Sequence, residues 1–138
     1  MSLAIIRLLF DAGLLVLIWM IQLVVYPSFT FYDQSNLKRW HDKYTRRVTF
    51  VVMPLMLGQL AAVGLQLWKD ANWYTVLSGI IVFLLWLSTF MKFVPLHNRI
   101  SGGDFDKETL NDLVRNNWGR TVLWSLLFLI SVGKLYVR

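Results

Sequence analysis

The stretch at residues 48–68, VTFVVMPLMLGQLAAVGLQLW, decides the fold class, because none of its 21 residues is charged. An α-helix crosses a bilayer core with about 20 apolar residues. Residues 71–91 form a second charge-free stretch of the same length, and between residues 12 and 36 the only charged residue is Asp33. These stretches predict an integral membrane protein built from apolar helices.

A chain of 138 residues has room for four such spans, which we expect near residues 3–27, 47–68, 72–93 and 119–136. Pro27 and Pro95 close the first and third of them. The fourth is the least apolar, and it is long enough only if Arg120 and Lys134 extend their charged ends to the two membrane surfaces. The expected fold is an all-α four-helix bundle in a membrane, one domain over residues 1–138, made of two helical hairpins.

The two hairpins have a matching pattern where their second helices begin. Asp, Leu and Arg at positions 33, 37 and 47 recur 73 positions later, at 106, 110 and 120. An Asp at such a position is typical of a helix N-cap, with an apolar residue one turn further on. We therefore expect amphipathic extensions at the starts of helices 2 and 4, and a weak internal repeat of the hairpin.

Composition excludes several classes of protein. The chain has no cysteine, so disulfides, thiolate metal sites and thiol catalysis are excluded. The net charge of +6 comes from basic residues that flank apolar stretches, which is a topology signal and does not indicate nucleic-acid binding. The first span carries Arg7 and Asp11, which can pair on one helix face, and lacks a cleavage motif, so we expect it to be retained. No nucleotide-binding loop, serine-hydrolase elbow or zinc-protease helix is present.

The distribution of charge predicts the orientation. Ten of the fourteen basic residues lie in the two connections that join span 1 to span 2 and span 3 to span 4. Because basic residues concentrate on the cytoplasmic side of membrane proteins, we expect a multi-pass protein of the bacterial inner membrane with both termini in the periplasm. No span carries a central acid or base of the kind that ion pumps use.

Unusual polar residues cluster at the span ends that face this same side, and both histidines of the chain are among them. In four-helix bundles, side chains on facing helices build binding sites in this way. We therefore predict a site at the cytoplasmic mouth of the bundle. Its catalytic candidates are His41 and His97, and its ligand-binding candidates are Tyr44, Arg47, Asn98, Arg99, Asn117, Trp118 and Arg120.

The expected ligand is an amphipathic or aromatic small molecule with an anionic group. Trp86, Phe90 and Phe93 share a helix face that leads to His97 and would form an apolar floor. The two histidines allow three hypotheses: axial ligands of a haem, part of a metal centre that is short of further ligands, or proton transfer beside an arginine that holds an anion. Whether the protein is an enzyme stays open.

A competing hypothesis explains the same clusters without a ligand. Trp and Tyr anchor membrane proteins at the headgroup level, and Lys and Arg beside spans set topology. The protein would then be a non-enzymatic accessory or scaffold subunit that packs against a larger membrane complex, or a homo-oligomer.

Several short motifs resemble a family of small bacterial four-span membrane proteins of unestablished function. The motifs are Val94-Pro95-Leu96-His97-Asn98-Arg99, Asn117-Trp118-Gly119-Arg120-Thr121 with Trp124, Tyr26-Pro27, His41-x-x-Tyr44-x-Arg46-Arg47 and Pro54-Leu55-Met56. Members of that family often carry a histidine before the Tyr-Pro pair and a glutamate after the Pro-x-Met stretch. This chain has Val25 and Gln59 at those places, so the resemblance implies that it lacks any ligand or acid they provide.

A fainter similarity links the chain to anthrone-oxygenase-like membrane domains. These also have four spans, a polar motif that ends the third and an Asn/Arg motif that opens the fourth. The resemblance implies oxidation of a polycyclic phenolic substrate.

Overall fold

The computed structural model describes residues 1–136, and in this part of the chain nearly all of the backbone is helical, with no β-strand. The four long helices are α1 (Leu3–Phe31), α2 (Gln34–Lys69), α3 (Trp73–Gly102) and α4 (Lys107–Tyr136). Short connections make sequence neighbours antiparallel, so the helices form two hairpins. The predicted all-α four-helix bundle is confirmed.

The second helix of each hairpin begins at the predicted aspartate. The Asp33 carboxylate accepts a hydrogen bond of 2.8 Å from the backbone amide three residues later. The Asp106 carboxylate accepts one of 2.9 Å from the Thr109 amide and another from the Thr109 hydroxyl, which together hold the pKa of Asp106 below its usual value. Leu37 and Leu110 are both buried one turn further on. The matching starts of α2 and α4 are therefore real structural equivalents.

One π-helical segment interrupts the first helix of each hairpin. It lies at Ile21–Val25 in α1 and at Thr89–Phe93 in α3. Each precedes a proline, Pro27 or Pro95, that stands in the first turn of the following α-helical segment. Proline has no N–H and its ring displaces the carbonyl one turn earlier, so the wider π turn accommodates it. The helices consequently continue past these prolines, to Phe31 and Gly102, beyond the ends that the sequence predicts for spans 1 and 3.

The helices pack as a closed ring in which α1 contacts α4 and α2, and α3 contacts α2 and α4. One apolar core fills the middle of the bundle, around Leu14, Met56 and Trp124. A second core, around Phe29, Leu37 and Leu113, lies toward the two hairpin connections at 32–33 and 103–106. We call the end of the bundle that contains these connections the histidine end, and the opposite end the terminal end.

Three of the described helices, α1, α2 and α3, are long and apolar enough to cross a membrane, whereas α4 is not among them. Large apolar side chains nevertheless face outward along all four helices, for example Leu23, Phe50, Leu84 and Leu129. Exposed apolar surface of this extent suits contact with lipid. The chain is therefore membrane-associated, and the count of four spans stays a prediction.

Helix α2 is longer than a membrane crossing requires. The 36 residues of α2 rise about 1.5 Å each, which gives a helix of about 54 Å. The hydrocarbon core of a bilayer is only about 30 Å thick. When residues 48–68 span that core, the first turns of α2, including His41, extend beyond it.

Candidate functional site

A continuous chain of hydrogen bonds joins three helices at the histidine end. His41 Nε2 lies 2.7 Å from His97 Nδ1, and the two imidazole rings stack with centroids 5.0 Å apart. His97 Nε2 lies 3.0 Å from the Tyr26 hydroxyl, and His41 Nδ1 lies 3.0 Å from the Ser101 hydroxyl. We call these four residues the histidine chain. All four ring nitrogens have a hydrogen-bond partner within the protein.

Local structure explains how each imidazole is held. His41 stands two turns after the Asp33 cap and is fully buried, with the Phe29 ring meeting it edge-on at 5.6 Å. His97 follows Pro95 in the first turns after the π segment of α3, and it is only partly buried. Because Ser101 stands four residues after His97, both point from the same face of α3.

Arg120 brings a buried positive charge to the same region from α4. Only 8% of the residue is exposed, and its guanidinium lies over the Phe93 ring at 4.2 Å and the Trp124 ring at 5.0 Å. The phenol groups of Tyr26 and Tyr44 lie within electrostatic range. Within residues 1–136 no carboxylate forms a salt bridge with Arg120, and its Nε is buried without a hydrogen-bond partner. The site therefore contains a buried cation that lacks a counter-ion.

A cavity of about 350 Å³ opens between α2 and α3 beside this cation. Its walls are mainly apolar and aromatic, and Tyr26, His97 and Arg120 are among the side chains that bring polar groups to it. Helix α2 packs against the segments Trp73–Ser88 and Val94–Gly102 of α3 but only sparsely against the π segment between them, so the two helices part there. The lining side chains include Tyr44, Val48, Val52, Met53, Met56, Trp86, Phe90, Phe93, Asn98 and Ser101.

The structure brings together some of the residues that the sequence predicts for the site. His97, Tyr44 and Arg120 line the cavity, and His41 joins it through His97. Asn98 also lines it, as an exposed residue. The predicted aromatic floor is present as well, since Trp86, Phe90 and Phe93 all line the cavity.

Four other predicted residues do not line this cavity. Arg47 and Arg99 are exposed. Trp118 is 45% exposed and packs edge-on against Trp19 at 5.8 Å. Asn117 is fully buried, but it donates a hydrogen bond of 2.9 Å to the Gln22 side chain of α1 and so connects α1 to α4.

Two members of the histidine chain were missing from the sequence-based list of site residues. Tyr26 is visible in the sequence as part of the Tyr-Pro pair, but nothing local shows that it reaches a histidine 71 positions away. Ser101 begins the Ser-Gly-Gly-Asp stretch at residues 101–104, a composition typical of a loop. Its spacing of four from His97 was the available signal, because such residues share a helix face.

A second buried polar cluster lies toward the terminal end. Arg7 and Asp11, which the sequence pairs on one helix face, are both fully buried, with Arg7 Nε 3.2 Å from the Asp11 carboxylate. That carboxylate also accepts hydrogen bonds from the Gln59 amide, at 2.6 Å, and from the Ser131 hydroxyl. Gln59 in turn accepts one from the Trp124 indole at 3.2 Å. These bonds join α1, α2 and α4, and a cavity of about 440 Å³ lies nearby, lined in part by Tyr74, whose ring the Arg7 guanidinium covers.

The geometry bears on the two metal hypotheses. No group of three or more His, Cys, Asp or Glu side chains within residues 1–136 is arranged to hold a metal ion. A haem places its two axial imidazoles on opposite faces of the macrocycle. His41 and His97 instead form a hydrogen bond with each other. Haem ligation by both would therefore require α2 and α3 to separate.

No protein-family model matches the chain, and no curated protein or solved structure is significantly similar to it. The resemblances to the small four-span family and to the anthrone-oxygenase-like domains therefore stay predictions. What defines the site is its own geometry: an apolar cavity, a buried arginine and a hydrogen-bonded pair of histidines.

Proposed function

We propose that this protein binds an amphipathic small molecule, with the apolar or aromatic body in the cavity and an anionic group against Arg120. The observation that carries the proposal is the buried guanidinium that lines a mainly apolar cavity and has no counter-ion among the described residues. Burial of an unpaired charge is costly. Cation–π contacts of about 0.5–2 kcal/mol offset only part of that cost. A bound anion would supply the missing charge.

The size and lining of the cavity support a ring-containing ligand. Small-molecule sites typically occupy about 300–1,000 Å³, so a cavity of about 350 Å³ suits a compact ligand. Aromatic side chains such as Phe93 and Trp86 favour stacking against a planar body. Because the cavity opens between α2 and α3 beside lipid-facing surface, the ligand reaches it from the bilayer.

The histidine pair is the candidate for chemistry on this ligand. The neutral imidazole of His97 can take the proton of a bound acid through the Tyr26 hydroxyl and pass its own proton on to His41, while Arg120 stabilises the anion that results. An enzyme of this type would be an oxygenase-like or redox protein that acts on an activated aromatic ring. The competing function is a non-enzymatic accessory subunit of a larger membrane complex, in which the same residues have a structural role.

The proposed location is the bacterial inner membrane, with the histidine end in the cytoplasm and both termini in the periplasm. The argument is the concentration of basic residues in the two connections at the histidine end. On this orientation the cavity opens into the cytoplasmic leaflet.

The Arg120→Gln variant tests the binding proposal. Wild-type protein purified in lipid nanodiscs is expected to bind naphthalene-2-sulfonate, a planar anion, and the variant is expected to bind it at least tenfold more weakly, because the counter-charge is gone. Arg39→Gln is the matched control, since Arg39 is exposed at the same end and its loss changes net charge equally. Quenching of tryptophan fluorescence measures the binding.

Equal binding by both variants would overturn the role of Arg120. Failure of wild-type protein to bind the sulfonate, together with a partner protein that co-purifies after mild solubilisation, would favour the accessory-subunit function.

A further inference from the structure

The histidine chain has the properties of a proton path. A neutral imidazole carries a proton on one ring nitrogen and a lone pair on the other. Two neutral imidazoles joined Nε2 to Nδ1 must therefore orient their hydrogen bonds in the same direction. A hydroxyl stands at each end of the pair, on Tyr26 and on Ser101, and a hydroxyl both donates and accepts. All three hydrogen bonds can consequently reverse together when one proton enters at one hydroxyl, from a ligand or from water, and one leaves at the other.

The two directions differ only in the position of the protons. In the first, Tyr26 donates to His97 Nε2, His97 Nδ1 donates to His41 Nε2, and His41 Nδ1 donates to Ser101. In the second, Ser101 donates to His41 Nδ1, His41 Nε2 donates to His97 Nδ1, and His97 Nε2 donates to Tyr26. Each residue carries the same number of protons in both directions.

The two ends of the histidine chain lie in different surroundings. Tyr26 is 2% exposed, lines the cavity and stands beside Arg120. Ser101 also lines the cavity, but it is partly exposed and stands near the end of α3, next to the connection at 103–106. Between them, the fully buried His41 lies behind the cavity wall. The charged groups nearest the chain are Arg120 at the Tyr26 end and Asp42 beside His41.

We infer that the histidine chain carries a proton from a ligand bound in the cavity to the surface at the histidine end. The O–H or N–H bond of the ligand breaks, and its proton forms a new bond to the Tyr26 oxygen. The original Tyr26 proton moves to His97 Nε2, the His97 Nδ1 proton to His41 Nε2, and the His41 Nδ1 proton to Ser101. The Ser101 proton leaves to water, and the ligand anion pairs with Arg120.

This inference rests on the proposed function for the source of the proton, and it adds a route that the cavity alone does not provide. A ligand beside Arg120 excludes water from this buried part of the cavity, so a proton released there has no direct way out. The histidine chain runs from the buried Tyr26 through the fully buried His41 to the partly exposed Ser101. Neutral weak acids are consequently the class of ligand that this site accepts and holds as anions.

The first test needs no ligand. The protein contains only two histidines, so protein labelled with ¹⁵N-histidine gives four ring-nitrogen signals. We expect an NMR scalar coupling between His41 Nε2 and His97 Nδ1 across their hydrogen bond. We also expect ¹⁵N chemical shifts that are averaged between the protonated and unprotonated forms of each nitrogen. Tyr26→Phe is expected to abolish the averaging, because a chain without that hydroxyl cannot reverse. Absence of the coupling, or a single fixed tautomer in the wild type, would overturn the inference.

The second test measures proton release in nanodiscs with a pH-sensitive dye. Naphthalene-2-sulfonamide is a neutral weak acid of the same shape as the sulfonate. We expect its binding to release about one proton, whereas the sulfonate, which is already an anion, releases none. His97→Gln keeps hydrogen-bonding groups but cannot relay a proton through a ring, so release is expected to be at least tenfold slower.

Ser101→Ala is expected to slow release similarly, with Ser35→Ala as the matched control, because Ser35 is exposed at the same end and outside the chain. Unchanged release rates in His97→Gln and Ser101→Ala would rule out the chain as the route. Binding of the sulfonate without binding of the sulfonamide would sink this inference and leave the proposed anion site standing. If neither compound binds, the proposed function fails, and the ¹⁵N spectra still decide whether protons move along the chain.

Discussion

The Arg7–Asp11 ion pair shows how much a single buried residue depends on its partners. The Asp11 carboxylate accepts hydrogen bonds from Arg7, Gln59 and Ser131, which lie on three helices. Arg7 Nη1 also donates to Gln66 at 3.0 Å, and its guanidinium lies over the Tyr74 ring. A buried ion pair need not stabilise a protein overall, but removal of one partner leaves the other charge unpaired.

We therefore predict that Asp11→Asn lowers the free energy of unfolding by about 3–5 kcal/mol. The control is the double variant Arg7→Leu/Asp11→Leu, which removes both charges and is expected to be more stable than the single variant. Thermal unfolding in detergent micelles, followed by circular dichroism, measures the difference. A single variant as stable as the wild type would show that the pair contributes nothing to the fold.

Arg47 and Arg120 show that equivalent sequence positions need not have equivalent roles. Both follow a capping aspartate at the same spacing, in α2 and α4 respectively. Arg47 is exposed, whereas Arg120 is buried against Phe93 and Trp124. The repeat therefore extends to the helix starts and stops before the site, which uses only one of the two arginines.

The contact between α1 and α2 depends on a glycine. A β-carbon at Gly58 would overlap the ring of Phe10, so the two helices approach closely only because Gly58 has no side chain. A similar approach occurs at Gly13, where a β-carbon would meet the Leu55 side chain at 3.2 Å. By contrast, a β-carbon at Gly64 would meet nothing within 4 Å.

We predict that Gly58→Ala destabilises the bundle by about 1–3 kcal/mol, the usual cost of overpacking. Gly64→Ala, in the same helix, is expected to be neutral or stabilising by up to about 1 kcal/mol, since alanine favours helix over glycine. Unfolding in detergent micelles compares the two variants. Equal stability of both variants would contradict the close packing of Phe10 on α2.

The whole molecule has two unlike ends, and their orientation in the membrane is testable. Because the chain has no cysteine, single cysteines report on one position each. Ser35 lies at the histidine end and Asp70 at the terminal end, and both are exposed. We predict that a membrane-impermeant thiol reagent added outside intact cells labels Asp70→Cys and leaves Ser35→Cys unlabelled. The reverse pattern would place the histidine end outside the cell.

For the whole molecule, local sequence pattern was enough to predict where helices form and where two of them begin. The charge-free stretch at 48–68 predicts an apolar helix because a bilayer requires that length, and Asp33 and Asp106 predict helix starts because capping acts within one turn. The Arg7–Asp11 pair followed from a spacing of four residues. Each of these inferences depends on neighbours in the sequence, and each is present in the structure.

Tertiary packing alone decided which side chains contact each other. The rotation of each helix about its axis buries Arg120 and exposes Arg47, and it brings Tyr26, His41, His97 and Ser101 from three helices into one chain of hydrogen bonds. Helix α2 contacts the π segment of α3 only sparsely, and the cavity opens between these two helices. Contacts between residues tens of positions apart leave no periodic trace along the chain, so only the assembled bundle reveals them.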